Sequence, residues 1–214
     1  NHIFGMPNKI TTKLLKQVHK KSKPILVPTP SAKNKVVEQR FKNVVVQTRG
    51  VNRDQFTFNS DPKDYIVCVS RVSKEKGLDD FCQLPYPNKV LVGDGPYLLE
   101  LTKKYPDVEF TGVMKGNQLA DYYRNAQCFV FPSKADTFGV VMIEAMACGT
   151  PVAAYPVTGP IDVVDQGQTG WLNEDLFQAV ENAIKLDRKN VCEYSQKWTW
   201  QSSTQEFVTS LYFI

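Results

Sequence analysis

Two cations, a glycine turn and two acids stand out along this chain. Arg71 and Lys76 lie in the string RVSKEKG, Gly93-Asp94-Gly95 follows an apolar run, and Asp136 and Glu144 bracket the start of SKADTFGVVMIEAMACG. Arginine offers a fork of donors and lysine a point charge, so Arg71 and Lys76 suit a polyanion. A helix beginning near Gly139 would add the exposed N–H groups of its first turn, which bind phosphate oxygens with help from the helix dipole. Gly139 would let backbone approach a ligand closely. Carboxylates accept hydrogen bonds from hydroxyls, so Asp136 and Glu144 suit a sugar or a ribose. Taken singly, most of these residues have ordinary readings. Arg71 and Lys76 could be a solvated pair, Asp136 a turn or N-cap residue, and Gly93 and Gly95 a plain turn. Glu144 is harder to dismiss, because an unpaired carboxylate in an otherwise apolar helix is costly. Tyr122, Tyr123, Met142 and Cys148 read as core.

The elements that must position these groups alternate strictly. Strands are predicted at 65–70, 89–92, 108–111, 128–131 and 151–154, and helices at 77–84, 97–105, 117–126, 139–148 and 175–186. The strands are continuous apolar runs, as expected when both faces are covered. This pitch predicts an α/β fold: a Rossmann-like parallel sheet with helices on both faces and right-handed crossovers. Ligands of such sheets sit at the carboxyl ends of the strands, where the cations, the glycine turn and the helix start all fall. Ahead of this lies a partial βα segment. It comprises an apolar run at 25–29, a helix capped by Ser31 to about Arg40, and a strand at 43–48 ended by Gly50. It reads as the tail of another domain. The polar stretch with Asp61-Pro62 reads as a linker. The expected organisation is therefore 1–52 as the end of a first domain, 53–64 as linker, 65–196 as the Rossmann-like domain and 197–214 as a terminal helix.

Composition narrows the function classes. The 214 residues are 42% hydrophobic and 22% charged, ordinary for a globular fold. No apolar run is long enough for a membrane-spanning helix. Asn1 opens the chain and no signal peptide follows, which reads as a fragment or a processed product, and the odd number of cysteines points to a reducing cytosol. Five cysteines without a CxxC spacing argue against a disulfide framework or a zinc site. With only His2 and His19, a His-based triad lacks material, and no Asp-x-Asp pair suggests a metal-held diphosphate. Residues 1–53 carry a formal charge of +11 and the remainder −7, giving the net +4. Lys9, Lys13, Lys16 and Lys20 share one side of a helix whose other side carries Ile10, Leu14 and Val18. A solvated face is the first reading and a membrane surface the second. Nucleic acid is disfavoured because no aromatic residues interleave the lysines.

The strings RVSKEKG, VGDGP, FTG and FVFPSKADTFGVVMIEAMACGTPVAAYP resemble the donor-binding domain of the retaining GT-B glycosyltransferases of family 4. The TPS…TRGVN stretch resembles the end of that family's first domain, so the resemblance spans residues 25–213. It implies that Arg71 and Lys76 bind the donor diphosphate and stabilise the departing nucleotide. Asp136 would contact donor sugar hydroxyls, at a position where the family usually has Glu. Backbone N–H groups at Phe138, Gly139 and Val140 would meet sugar and phosphate, Glu144 the ribose, and Val113 and Met114 the nucleobase. The implied substrate is a nucleoside-diphosphate sugar, GDP-mannose before a UDP-sugar, with no cofactor and no metal. The hexose would pass with retention, by front-face substitution, to an acceptor glycan or glycolipid, and contact with the inner face of the membrane would be peripheral. The last helix, carrying Trp198, Trp200, Phe207, Val208 and Leu211, would cross back onto the first domain. With most of that domain absent, the chain alone is predicted to bind nucleotide but to transfer sugar poorly. Two rivals stand beside this reading. One is a GT-B sugar-nucleotide epimerase, which would need a catalytic His or acid in the crevice. The other is a non-catalytic nucleotide- or polyanion-binding module using the basic first quarter.

Overall fold

A computed structural model of the chain describes residues 17, 18 and 24–212. The expected lysine stripe and its partners Ile10 and Leu14 therefore lie outside the described residues, as do His2 and His19. Val18, assigned to the core side of that helix, is exposed.

Six parallel strands form the main sheet: β3 (Ile66–Val69), β4 (Lys89–Val92), β5 (Glu109–Gly112), β6 (Cys128–Phe131), β7 (Val152–Ala154) and β8 (Gly170–Leu172). Their spatial order is β5-β4-β3-β6-β7-β8. The order reverses between β3 and β6, and register pairs Ile66 with Lys89 on one side and with Cys128 on the other. Alternate residues serve opposite faces. Phe129 and Phe131 belong to one core cluster, whereas Cys128 and Val130 belong to the other. Both faces are thus apolar, which is why these strands read as unbroken hydrophobic runs.

The connecting helices are α2 (Leu78–Cys82), α3 (Leu98–Lys104), α4 (Gly116–Arg124), α5 (Val140–Ala147), α6 (Pro160–Val163), α7 (Leu176–Ala183) and α8 (Arg188–Tyr194). Three of these elements, β8, α6 and α8, go beyond the sequence expectation. β8 is a three-residue edge strand, and α8 buries only Val191, so neither has a periodic signal. Instead α8 is fixed by Asp187, whose carboxylate caps Lys189 and Asn190 N–H, and by Arg188. The Arg188 guanidinium donates to the carbonyls of Asn59, Ala126 and Arg124 at 2.7–2.9 Å and to the Thr150 hydroxyl.

Before this sheet stand β1 (Ile25–Val27), α1 (Pro30–Glu38) and β2 (Val44–Val46), with β1 and β2 paired in parallel. Thr29, not Ser31, caps α1: its hydroxyl accepts the Ala32 N–H, and Pro30 takes the first helical position. Proline suits that place because its missing N–H would have no partner there. Ser31 turns outward instead and donates both N–H and hydroxyl to Asp162 of α6. The polar stretch after residue 50 is packed down, with Val51 and Phe56 buried in the main core. The terminal helix α9 starts at Trp200 rather than Trp198 and runs to Tyr212. It lies beside the end of β2, where Glu206 accepts the Thr48 N–H and hydroxyl and Ser203 donates to the Thr48 carbonyl. Among the described residues no helix is long and apolar enough to cross a membrane.

Candidate functional site

The site begins with three chain segments that end at the same edge of the sheet. β3 runs out into Ser70 and Arg71, a 3₁₀ turn at Lys74–Lys76 follows, and β6 runs through the loop 132–139 into α5. These meet in a cleft of about 390 Å³, lined by Arg71, Lys76, Asp136, Phe138, Gly139 and Val140. Pro28 and Arg49 close it from the β1–β2 side. The topological switch between β3 and β6 is where a parallel sheet leaves room for a ligand.

Each cation in the strand-end loop is held by a carboxylate of the same chain. Lys76 Nζ lies 3.0 Å from Asp136 Oδ2, and both side chains are about a quarter exposed (24% and 23%). Asp136 Oδ1 meanwhile accepts Thr137 N–H at 2.8 Å, which fixes the loop ahead of α5. Arg71 is exposed and pairs with Glu75. Glu75 also accepts the Ser73 hydroxyl at 2.8 Å, and with Arg71 this holds its carboxyl down at about 2. Glu75 is therefore ionised at neutral pH.

The helix start is shaped by Gly139 and Phe138. Gly139 has φ of 77°, a left-handed conformation that a side chain would strain. No side chain caps α5, and its first residues Val140 and Val141 line the cleft, while the Met142 N–H is taken by the Gly139 carbonyl. Phe138 contributes through its backbone only. Its ring is buried edge-on against Trp198, centroids 5.4 Å apart, and this anchors the loop to the segment leading into α9. From the other side, Thr29 donates its hydroxyl to the Thr137 carbonyl at 3.2 Å.

The remaining candidates stand elsewhere. Gly93 and Gly95 do not line the cleft but back the loop that carries Arg71. A Cβ on Gly93 would sit 1.9 Å from the Ser70 carbonyl oxygen, so only glycine permits that approach. Glu144 does not reach the cleft wall either. Its Oε2 accepts the Tyr123 hydroxyl at 2.9 Å, between α5 and α4. Burial pushes its carboxyl up, against a smaller opposing pull from Tyr123. Tyr123 is thus more than core filling: its ring is fully buried and its phenol meets the acid. Met142 and Cys148 are fully buried core. Val113 is exposed beyond β5, whereas Met114 lines a separate groove with Tyr65, Gln118 and Tyr122. Arg49 lines the cleft although its residue type and spacing did not single it out. Its only sequence signal is membership of the basic first quarter.

Chemically, the cleft gathers two guanidiniums, an ammonium, a carboxylate and the start of α5 around a space of small-molecule size. Such a set of groups can hold an anion that also carries hydroxyls.

A family model described as glycosyl transferases group 1 matches residues 63–186. The chain is 30% identical over 173 residues to the GDP-mannose-dependent alpha-mannosyltransferase of Corynebacterium glutamicum, covering 74% of this chain and 42% of that protein. It is 29% identical over 175 residues to the sulfoquinovosyl transferase SQD2 of Arabidopsis thaliana, covering 72% and 34%. The solved sucrose-phosphate synthase of Thermosynechococcus elongatus superposes with a TM-score of 0.80 at 25% identity, covering 97% of this chain and 62% of that one. The Anabaena protein HepE, solved with UDP, gives 0.82 at 16% identity, covering 97% and 69%, a likeness of fold. The chain spans about a third to a half of the length of these curated relatives.

Proposed function

The chain belongs to the group 1 glycosyl transferases, and we propose that it is the donor-binding part of a retaining hexosyltransferase, with the hinge and a piece of the acceptor domain. The donor is a nucleoside-diphosphate sugar. GDP-mannose comes first, in keeping with the name of the corynebacterial relative, and a UDP-sugar second. The acceptor is a glycan or glycolipid, and the enzyme works in the cytoplasm with peripheral contact to the membrane. The observation that carries this reading is the convergence of Arg71, Lys76 and the uncapped start of α5 on one cleft.

In this reading the diphosphate lies against the first turn of α5, with Lys76 and Arg71 on its oxygens. Charge grows on the leaving diphosphate as the bond to the anomeric carbon breaks. Preorganised donors aimed at that charge lower the barrier, because they stabilise the transition state more than the bound donor. No metal is needed for that neutralisation. Asp136 has two roles: it steadies Lys76 before the donor binds, and it accepts hydroxyls of the donor sugar once the phosphate has drawn Lys76 away. The incoming acceptor hydroxyl attacks from the same face, its proton passing to the departing phosphate. This accounts for retention without a protein nucleophile. The base lies towards exposed Val113.

The test is thermal stabilisation by GDP, UDP, ADP and their sugars. A ligand at 100 times its dissociation constant stabilises by about 2.7 kcal/mol. No shift with any of them would refute the proposal.

A further inference from the structure

Arg49 is a third cation of the cleft. It follows β2 and lines the same cleft as Arg71, Lys76 and Pro28. It is half-buried, and its Nη1 donates only to two backbone carbonyls, Gln47 at 3.2 Å and Thr48 at 3.1 Å. Among the described residues it has no carboxylate partner, whereas Lys76 has Asp136 and Arg71 has Glu75. Among the three cations of the cleft, Arg49 is thus the one that no carboxylate of the described residues compensates.

Its backbone is held from both sides. Thr48 is gripped by Glu206 and Ser203 of α9. Gly50 packs so tightly under α9 that a Cβ there would lie 2.2 Å from the Trp200 nitrogen. Arg49 is thus a guanidinium fixed at the mouth of a cleft, not a mobile surface arginine. A guanidinium does not lose its proton, so a half-buried one without a partner is stabilised by an anion brought in by a ligand.

Resting on the donor reading above, we propose that Arg49 is a third contact to the diphosphate, made from the β1–β2 side, and that it favours the departed nucleoside diphosphate over the intact donor. When the bond between the anomeric carbon and the terminal phosphate oxygen breaks, its electron pair stays on that oxygen. The acceptor oxygen bonds to the carbon, and its proton passes to the phosphate or to water. The released diphosphate has a free terminal phosphate that the intact donor lacks, and Arg49 is the cation with no internal anion to surrender first. The role of α9 follows from this: it fixes the segment that carries Arg49.

Calorimetric titration of the full chain with UDP, GDP, their sugars and inorganic pyrophosphate tests the proposal, using Arg49→Gln and Arg49→Lys. Loss of one charge-assisted contact should weaken nucleoside-diphosphate and pyrophosphate binding about tenfold in Arg49→Gln. The sugar nucleotides should lose about threefold or less, and Arg49→Lys should recover most of the affinity. Wild type that binds nucleotide while Arg49→Gln binds it equally well would overturn this inference and leave the donor reading standing. Equal losses for diphosphate and sugar nucleotide would overturn the preference for the departed form. If Arg49→Gln melts early, Arg49→Lys decides: affinity as weak as the glutamine variant overturns the contact, and recovery supports it. Wild type silent to every probe overturns the donor reading itself.

Discussion

Replacing Lys76 by methionine keeps the side-chain stem and removes its charge. Two penalties then fall on a bound nucleoside diphosphate. One charge-assisted hydrogen bond is lost, worth about 1.5–3 kcal/mol. Asp136, whose Oδ2 sat 3.0 Å from the ammonium, is also left as a bare carboxylate beside the phosphate. At roughly 6 Å and an effective dielectric near 20 that repulsion approaches about 3 kcal/mol, and solvent entering the open cleft reduces it severalfold. Together these amount to about 2–4 kcal/mol, or roughly 30- to 700-fold in Kd. Asp136→Asn should act in the opposite direction on a nucleoside diphosphate without sugar, tightening it a few-fold by freeing Lys76. Asparagine Oδ1 can still accept the Thr137 N–H, so the loop keeps its shape. The double variant should lose less than Lys76→Met alone, because the repelling carboxylate is gone. Titration of GDP and UDP into the four proteins completes the cycle. Unchanged affinity in Lys76→Met would refute the reasoning, as would Asp136→Asn weakening the nucleotide as much as Lys76→Met.

Three further outcomes follow from the packing. The folded-state carboxyl of Glu144 is raised above its ordinary value of 4.5. Native protein therefore holds that proton more tightly than unfolded chain, and stability declines as pH rises from about 4.5 through the folded-state value. Glu144→Gln should flatten that decline in urea titrations across pH 4.5–7, and an unaltered slope would contradict it. Gly93→Ala should cost on the order of 1–3 kcal/mol, because its Cβ would strike the Ser70 carbonyl and displace the Arg71 loop. Chemical denaturation and nucleotide titration should show both losses. Arg188→Met removes the guanidinium donor from the carbonyls of Asn59 and Ala126, while that of Arg124 keeps Asn59 Nδ2, so stability should fall by roughly 3 kcal/mol. Nucleotide affinity of the protein that remains folded should be unchanged.

The parts of the fold legible in the sequence were those with one dominant force. Buried strands such as Cys128–Phe131 announce themselves as apolar runs, and α5 as an apolar helix opened and closed by glycines. The elements that escaped, β8 and α8, are held by edge pairing and by Arg188 hydrogen bonds to distant carbonyls, which leave no local period. The cleft was legible where chemistry and chain direction coincide, as at Arg71, Lys76 and Asp136. It was not legible where one residue type serves two ends. Glu144 stands eight residues after Asp136, yet its carboxylate turns to Tyr123, a partner that only tertiary packing supplies. Gly93 and Gly95 sit at the expected edge but support the loop from behind. Arg49 was hidden among a run of other basic residues, and only the fold brings it into the cleft with Lys76.

A crystal structure of the chain soaked with GDP or UDP addresses the central claim most directly. Density for the two phosphates should lie within hydrogen-bonding distance of Lys76 Nζ and the Val140 N–H, with Asp136 released from the ammonium. Phosphate density in the groove beside Tyr65 and Met114, with the Lys76–Asp136 pair undisturbed, would contradict it.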